Sequence, residues 1–173
     1  DQAHRSADPI EAKTKRPPNE APSASINIKD FMLDDIMVRV RQVFVDDKER
    51  TLEEAVRDVC RDLGFERVGP NIKTTLEHAL KVAVKRRILK CENRLYSRDT
   101  CAVGDYETGE HVQALRAAMG RGWWEREDAM RAAARHLGFS KLGPNIRQAF
   151  RSAFNSGIRQ KLLEANGSAV RRL

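Results

Sequence analysis

A mainly α chain of two tandem units, each with three helices and a short β-hairpin, is predicted by three observations. A ten-residue string occurs twice. Leu63-Gly64-Phe65-Glu66-Arg67-Val68-Gly69-Pro70-Asn71-Ile72 returns as Leu137-Gly138-Phe139-Ser140-Lys141-Leu142-Gly143-Pro144-Asn145-Ile146, with seven positions identical. Each copy stops one apolar-periodic segment and starts another, and each segment so started carries a basic outer face before a hairpin pattern. An internal repeat of this length separates what a unit needs for its fold from what each copy does alone. The order reads as two winged helix-turn-helix units, at 30–99 and 106–173, behind a disordered linker at 1–29.

The linker assignment rests on Pro17-Pro18, Pro22, Ser, Ala and balanced charge, with too little apolar surface to offset the entropy of ordering. In the first unit Ile36, Val40, Val43 and Phe44 recur at helical spacing, which predicts a helix from about Asp30 to Val45. Thr51 with Glu54 three positions on forms a capping box for a second helix, whose apolar stripe is Leu52, Ala55, Val56, Val59, Cys60 and Leu63. Gly64 ends it as a left-handed cap. Pro70 opens the third helix, where it has no amide hydrogen to leave unpaired. Ile72, Leu76, Ala79, Leu80, Ala83 and Val84 then face inward. Ile88–Cys91 and Leu95–Ser97 flank Glu92-Asn93-Arg94 as the two strands of a wing.

The second unit repeats the plan, with a one-residue shift needed to align its first helix on Val112, Leu115 and Met119. Trp123-Trp124 replaces the acidic turn, as a packing pair or a base-stacking platform. Ala129, Met130, Ala133 and Leu137 line the second helix, and Ile146, Phe150, Ala153, Phe154, Gly157 and Ile158 the third. Asn166-Gly167, between Leu162-Leu163 and Ala169-Val170, is a type I′ hairpin signal.

The net charge of +7 and isoelectric point near 9.6 favour a polyanionic partner. The first 30 residues hold five acids and five bases, so the basic excess lies in the two units. Cys60, Cys91 and Cys101 fit neither a paired framework nor a zinc spacing, and Cys60 falls on a buried stripe. No apolar run approaches the roughly 18 residues of a membrane span, and no signal peptide is visible. A cytoplasmic, reducing location and no membrane partner are expected. The start at Asp1 rather than Met points to a longer parent.

No phosphate-binding glycine loop, nucleophile elbow, His-Glu-x-x-His or clustered carboxylate set is present, so no catalytic residue, cofactor or metal is expected. His4, His78, His111 and His136 are scattered. In a helix-turn-helix the third helix enters the major groove, with early residues near base edges and later ones near phosphates. Lys73, Thr74, Arg147 and Gln148 are therefore the candidates for base edges. His78 shares the exposed face, and Lys81, Lys85, Arg86, Arg87, Arg151 and Arg159 suit the phosphate backbone. Arg94 in the first wing and Arg171 after the second reach an adjacent groove or phosphate. The same basic faces would also serve a solvated or protein-docking surface.

The string from Thr51-Leu52-Glu53-Glu54-Ala55 through Leu63-Gly64-Phe65-Glu66-Arg67-Val68-Gly69-Pro70-Asn71-Ile72, with Ala79, Ala83, Val84 and Lys85-Arg86-Arg87-Ile88, resembles a small bacterial domain. That domain lies near the C-terminus of large superfamily-one helicase and restriction-endonuclease-like fusion proteins. Its Leu-Gly-x-x-Arg-x-Gly-x-x-Ile pattern is met in the first unit, with Tyr96 in place of its hairpin aromatic. The second unit has Lys141 for the arginine and no wing aromatic, and two adjacent copies depart from the usual single domain. The resemblance implies a DNA-handling parent whose helicase and nuclease chemistry lies in other domains. The expected function is a non-catalytic, duplex-DNA-binding module of a helicase, nuclease or restriction-type protein. A docking scaffold, for other domains of the parent or a separate protein, is the alternative, with a transcription regulator as a further one.

Overall fold

The computed structural model describes residues 26–173. It is mainly helical and carries two small antiparallel sheets. Of the linker expected over 1–29, residues 1–25 lie outside the described part. Residues 26–29 belong to the first unit instead, because Ile28 opens a short 3-10 turn and is buried in that unit's core.

The first unit runs α1 (Leu33–Val43), β1 (Arg50–Thr51), α2 (Leu52–Asp62), α3 (Pro70–Lys85), β2 (Leu89–Glu92) and β3 (Leu95–Arg98). The second runs α4 (Thr108–Ala118), β4 (Trp124–Glu125), α5 (Arg126–His136), α6 (Pro144–Arg159), β5 (Leu163–Asn166) and β6 (Ala169–Arg172). In each, a two-residue strand before the second helix adds to the outer strand of the hairpin, giving the orders β1-β3-β2 and β4-β6-β5. The periodicity reading does not contain these third strands, since two residues are too few to show a period of two. The Asp30–Val45 helix is shorter than expected, Phe44–Asp46 tightening into a 3-10 turn that closes on Asp47 at φ 57°.

Local chemistry accounts for the helix ends. Thr51 accepts from the Glu54 amide at 3.3 Å while Glu54 takes the Thr51 amide at 2.8 Å, closing the capping box. Gly64 (φ 90°) and Gly138 (φ 80°) sit in the left-handed region. The Phe65 amide reaches the Cys60 carbonyl and the Phe139 amide the Ala134 carbonyl, so both second helices end in Schellman motifs. Pro70 and Pro144 each occupy the first helical turn. The third helices end in the same way on non-glycine residues, Arg87 at φ 55° and Lys161 at φ 56°.

The hairpin turns correct one expectation. Asn93 and Arg94 are both at positive φ, which is the type I′ requirement, so that turn belongs to the first hairpin. Asn166 pairs with Ala169 as the last residue of its strand, which leaves Gly167-Ser168 as the loop with only Gly167 at positive φ. That is the type II′ pattern.

Each unit encloses its own apolar cluster. Phe44, Leu76, Leu80, Ile88 and Tyr96 are among the buried side chains of the first, and Leu115, Met119, Phe150, Phe154 and Val170 of the second. Edge-to-face aromatic pairs recur at matching places, Phe31 on Phe65 and Tyr106 on Phe139. Among the described residues no helix is long and apolar enough to cross a membrane.

Candidate nucleic-acid interface

Burying one side of α3 and α6 leaves a polar stripe on the other. Positions 73, 77, 81 and 85 of α3 and 147, 151, 155 and 159 of α6 follow one another at four-residue intervals, so each set lies on a single helix face. The stripes hold Lys73, Glu77, Lys81 and Lys85 in the first unit and Arg147, Arg151, Asn155 and Arg159 in the second. Each stripe holds three cations, of which two, at 73/147 and 85/159, occupy the same positions of the repeat.

Lys73, Thr74, His78, Lys81 and Lys85 are exposed, as are Gln148, Arg151 and Arg159. Lys73 lies 3.9 Å from Glu77, a weak surface pair. The Thr74 hydroxyl bonds back to the Pro70 carbonyl at 3.0 Å. Among the described residues Lys81, Lys85, Arg151 and Arg159 have no carboxylate within ion-pair distance. Arg94 stands exposed at the tip of the first hairpin.

Four of the cations expected on this surface are engaged elsewhere. Arg147 binds Glu127 at 2.7 Å and reaches the Leu142 carbonyl. Arg171 binds Glu164 at 2.6 Å, its guanidinium 4.8 Å from the ring centre of the exposed Trp123. Trp124 packs partly buried against the second core, so the two tryptophans divide between surface and core. Arg86 and Arg87 follow the end of α3, and the turn at Arg87 carries both toward the second unit.

There they join a polar seam between the units. Arg86 donates to Asp34 at 2.6 Å and to the His136 carbonyl at 2.9 Å, with only 14% of its side chain exposed. Arg87 binds Glu110 at 2.9 Å and lies 3.4 Å from Asp99. Arg135 on α5 donates to Asp35 on α1 at 2.7 Å. Burial raises the Asp34 carboxyl, but the nearby His136 ring and the hydrogen bond and charge of Arg86 outweigh it and hold Asp34 below its ordinary value. His136, expected to be solvated or paired with its helix end, has Nδ1 3.6 Å from Asp34.

At the centre Arg41 of α1 reaches the C-terminus of α5, donating through Nε and Nη2 to the Leu137 carbonyl at 3.0 and 2.8 Å. Its Nη1 donates to the Thr100 carbonyl at 2.6 Å, and the guanidinium lies 4.3 Å from the Phe139 ring centre. Thr100 and the Tyr106 hydroxyl accept from Nη2 and donate onward to the carbonyls of Arg87 and Arg86. Arg41, Thr100 and Tyr106 carry no motif that singles them out in sequence.

Of the remaining reactive groups, Cys60 is buried, and burial pushes its thiol up, while Cys91 and Cys101 are exposed. Among the described residues no three His, Cys, Asp or Glu side chains gather as a metal site. No known protein family, curated protein or solved structure matches the chain.

Proposed function

We propose that the chain is a non-catalytic nucleic-acid-binding module of two tandem winged helix-turn-helix units, engaging duplex DNA through α3 and α6. The observation that carries this reading is the duplicated stripe, with Lys81 and Lys85 on one copy and Arg151 and Arg159 on the other exposed and, among the described residues, free of carboxylate partners. Lysine and arginine so placed neutralise phosphates and release counterions without needing a base sequence. Thr74 and Gln148, one residue after the stripe's first position in each copy, have the donors and acceptors to meet base edges. The helix–strand–helix–helix–hairpin order, with the short strand added to the hairpin, supports the winged reading. Arg94 at the first hairpin tip supplies a cation where a wing approaches the backbone.

Two binding helices on one chain raise apparent affinity through effective concentration. The resemblance to the helicase-associated domain supports a larger helicase, nuclease or restriction-type parent whose DNA this module holds. The test is fluorescence anisotropy of the whole chain on a random-sequence duplex over a range of salt. Micromolar binding with a steep negative salt slope is expected. Absence of binding at low salt would make the stripes a protein-docking surface.

A further inference from the structure

The seam between the units joins unlike surfaces. The first unit contributes the outer face of α1 with Arg41, and the second contributes the end of its second helix with Leu137, Gly138 and Phe139. Because both units have the same fold, each retains the half that the other has used. The second unit still presents the outer face of α4, and the first its Leu63-Gly64-Phe65 corner, where Gly64 is exposed with Ile26 alongside. A head-to-tail contact of this kind does not use up its own surfaces, so it closes into a ring or continues.

We infer that the α4 face accepts the Leu63-Gly64-Phe65 corner of a second copy of this chain, repeating the internal seam between molecules. Matched through the repeat, Val38, Arg41, Gln42 and Arg98 of the seam correspond to Gln113, Arg116, Ala117 and Arg172, which line one open groove. Arg116 stands where Arg41 stands. Arg41 is fully engaged, whereas the buried Nε of Arg116 has no hydrogen-bond partner among the described residues. The matching acceptor, the Leu63 carbonyl at the end of α2, receives no hydrogen bond from the described residues. Phe65 holds the place of Phe139, ready to lie under the incoming guanidinium.

The Asp34–Arg86 pair of the seam has no charged counterpart, Gly109 and Gln160 standing in those places, but another difference between the copies adds a charge match. Ser140 lies in the seam groove beside Arg98, and its counterpart on the open corner is the exposed Glu66. It would meet Arg172, with Arg121 also lining that groove. His136 is replaced by Asp62, whose Oδ2 already lies 3.7 Å from Arg39. Among the described residues, a basic groove with an unpaired guanidinium nitrogen thus faces a corner with an open carbonyl and the exposed Glu66 carboxylate.

Sedimentation velocity of the full chain without DNA, from low to high micromolar concentration, tests this. Association that rises with concentration and continues past the dimer is expected. Arg116→Ala and Glu66→Arg should each weaken it about tenfold or more, and adding Arg172→Glu to Glu66→Arg should restore it. Glu66 is exposed, so that variant reads the contact even if Arg116→Ala perturbs folding. A chain that stays monomeric throughout overturns the inference. So does association that neither substitution changes.

Discussion

Arg41 and Leu137, 96 positions apart, are joined by two hydrogen bonds from one guanidinium to the last-turn carbonyl of α5. The bond does for a helix C-terminus what a local capping residue would do, but it comes from the other unit. Units of this size bury limited core, so a contact that also satisfies orphan polar groups couples their stabilities.

Arg41→Ala should cost roughly 2–4 kcal/mol, because it orphans the Leu137 and Thr100 carbonyls in a partly buried site. Thermal unfolding by calorimetry should change from one transition to two as the units uncouple. Arg41→Lys keeps the charge but not the planar fork, and should fall between. A single unaltered transition in Arg41→Ala would show that the apolar contacts alone hold the units together.

Gly64→Ala and Gly138→Ala share the backbone penalty of a left-handed residue, about 1–2 kcal/mol. They differ in surroundings. A Cβ at Gly138 would sit 2.9 Å from the Met37 carbonyl oxygen and 3.2 Å from Arg41 Nε, whereas at Gly64 the nearest atom is Ile26 Cδ1 at 3.9 Å. Gly138→Ala should therefore cost about 1–3 kcal/mol more, the penalty of overpacking. Denaturant titration of the two variants side by side measures the difference, and equal losses would mean that the seam yields freely.

His111 is buried against Phe150, with Nε2 3.0 Å from the Val103 carbonyl. Burial pushes its pKa below the ordinary value, against the opposing pull of the Val103 carbonyl and Glu110. A lowered pKa means the unfolded chain takes up a proton before the folded one. Stability is then full above the unfolded value, about 6.5, and falls as pH drops from there through the folded value. Melting of the wild type and His111→Gln between pH 7.5 and 5 checks this, the variant being expected to show the flatter profile.

Lys81→Ala with Lys85→Ala, and Arg151→Ala with Arg159→Ala, should each weaken duplex binding on all sequences. Each lost phosphate contact should reduce the salt slope by about 1. Arg86→Ala should instead destabilise the seam, since its guanidinium is held by Asp34 and the His136 carbonyl. Anisotropy and melting on the same variants separate the two effects. Equal binding losses from Arg86→Ala and the lysine pair, with no melting change, would return Arg86 to the proposed DNA-binding surface.

Much of the secondary structure was determined by sequence alone, because its causes are local. Thr51 and Glu54 close a capping box within one turn, Gly64 and Gly138 supply the left-handed caps, and apolar periodicity marks which side of α3 and α6 is buried. The repeat carries these assignments from one unit to the other, and the exposed positions of the candidate interface follow from them. Whether a given cation is free is a different kind of question. Lys81 and Arg86 look alike in sequence, yet Asp34, 52 positions from Arg86, binds one and leaves the other exposed. The two-residue strands β1 and β4 have the same character, being defined only by a hairpin more than forty residues later. Tertiary structure alone decided the seam, in which Arg41, Thr100 and Tyr106 meet. Hydrogen bonds and ion pairs between units depend on distances in space, and no local propensity encodes them.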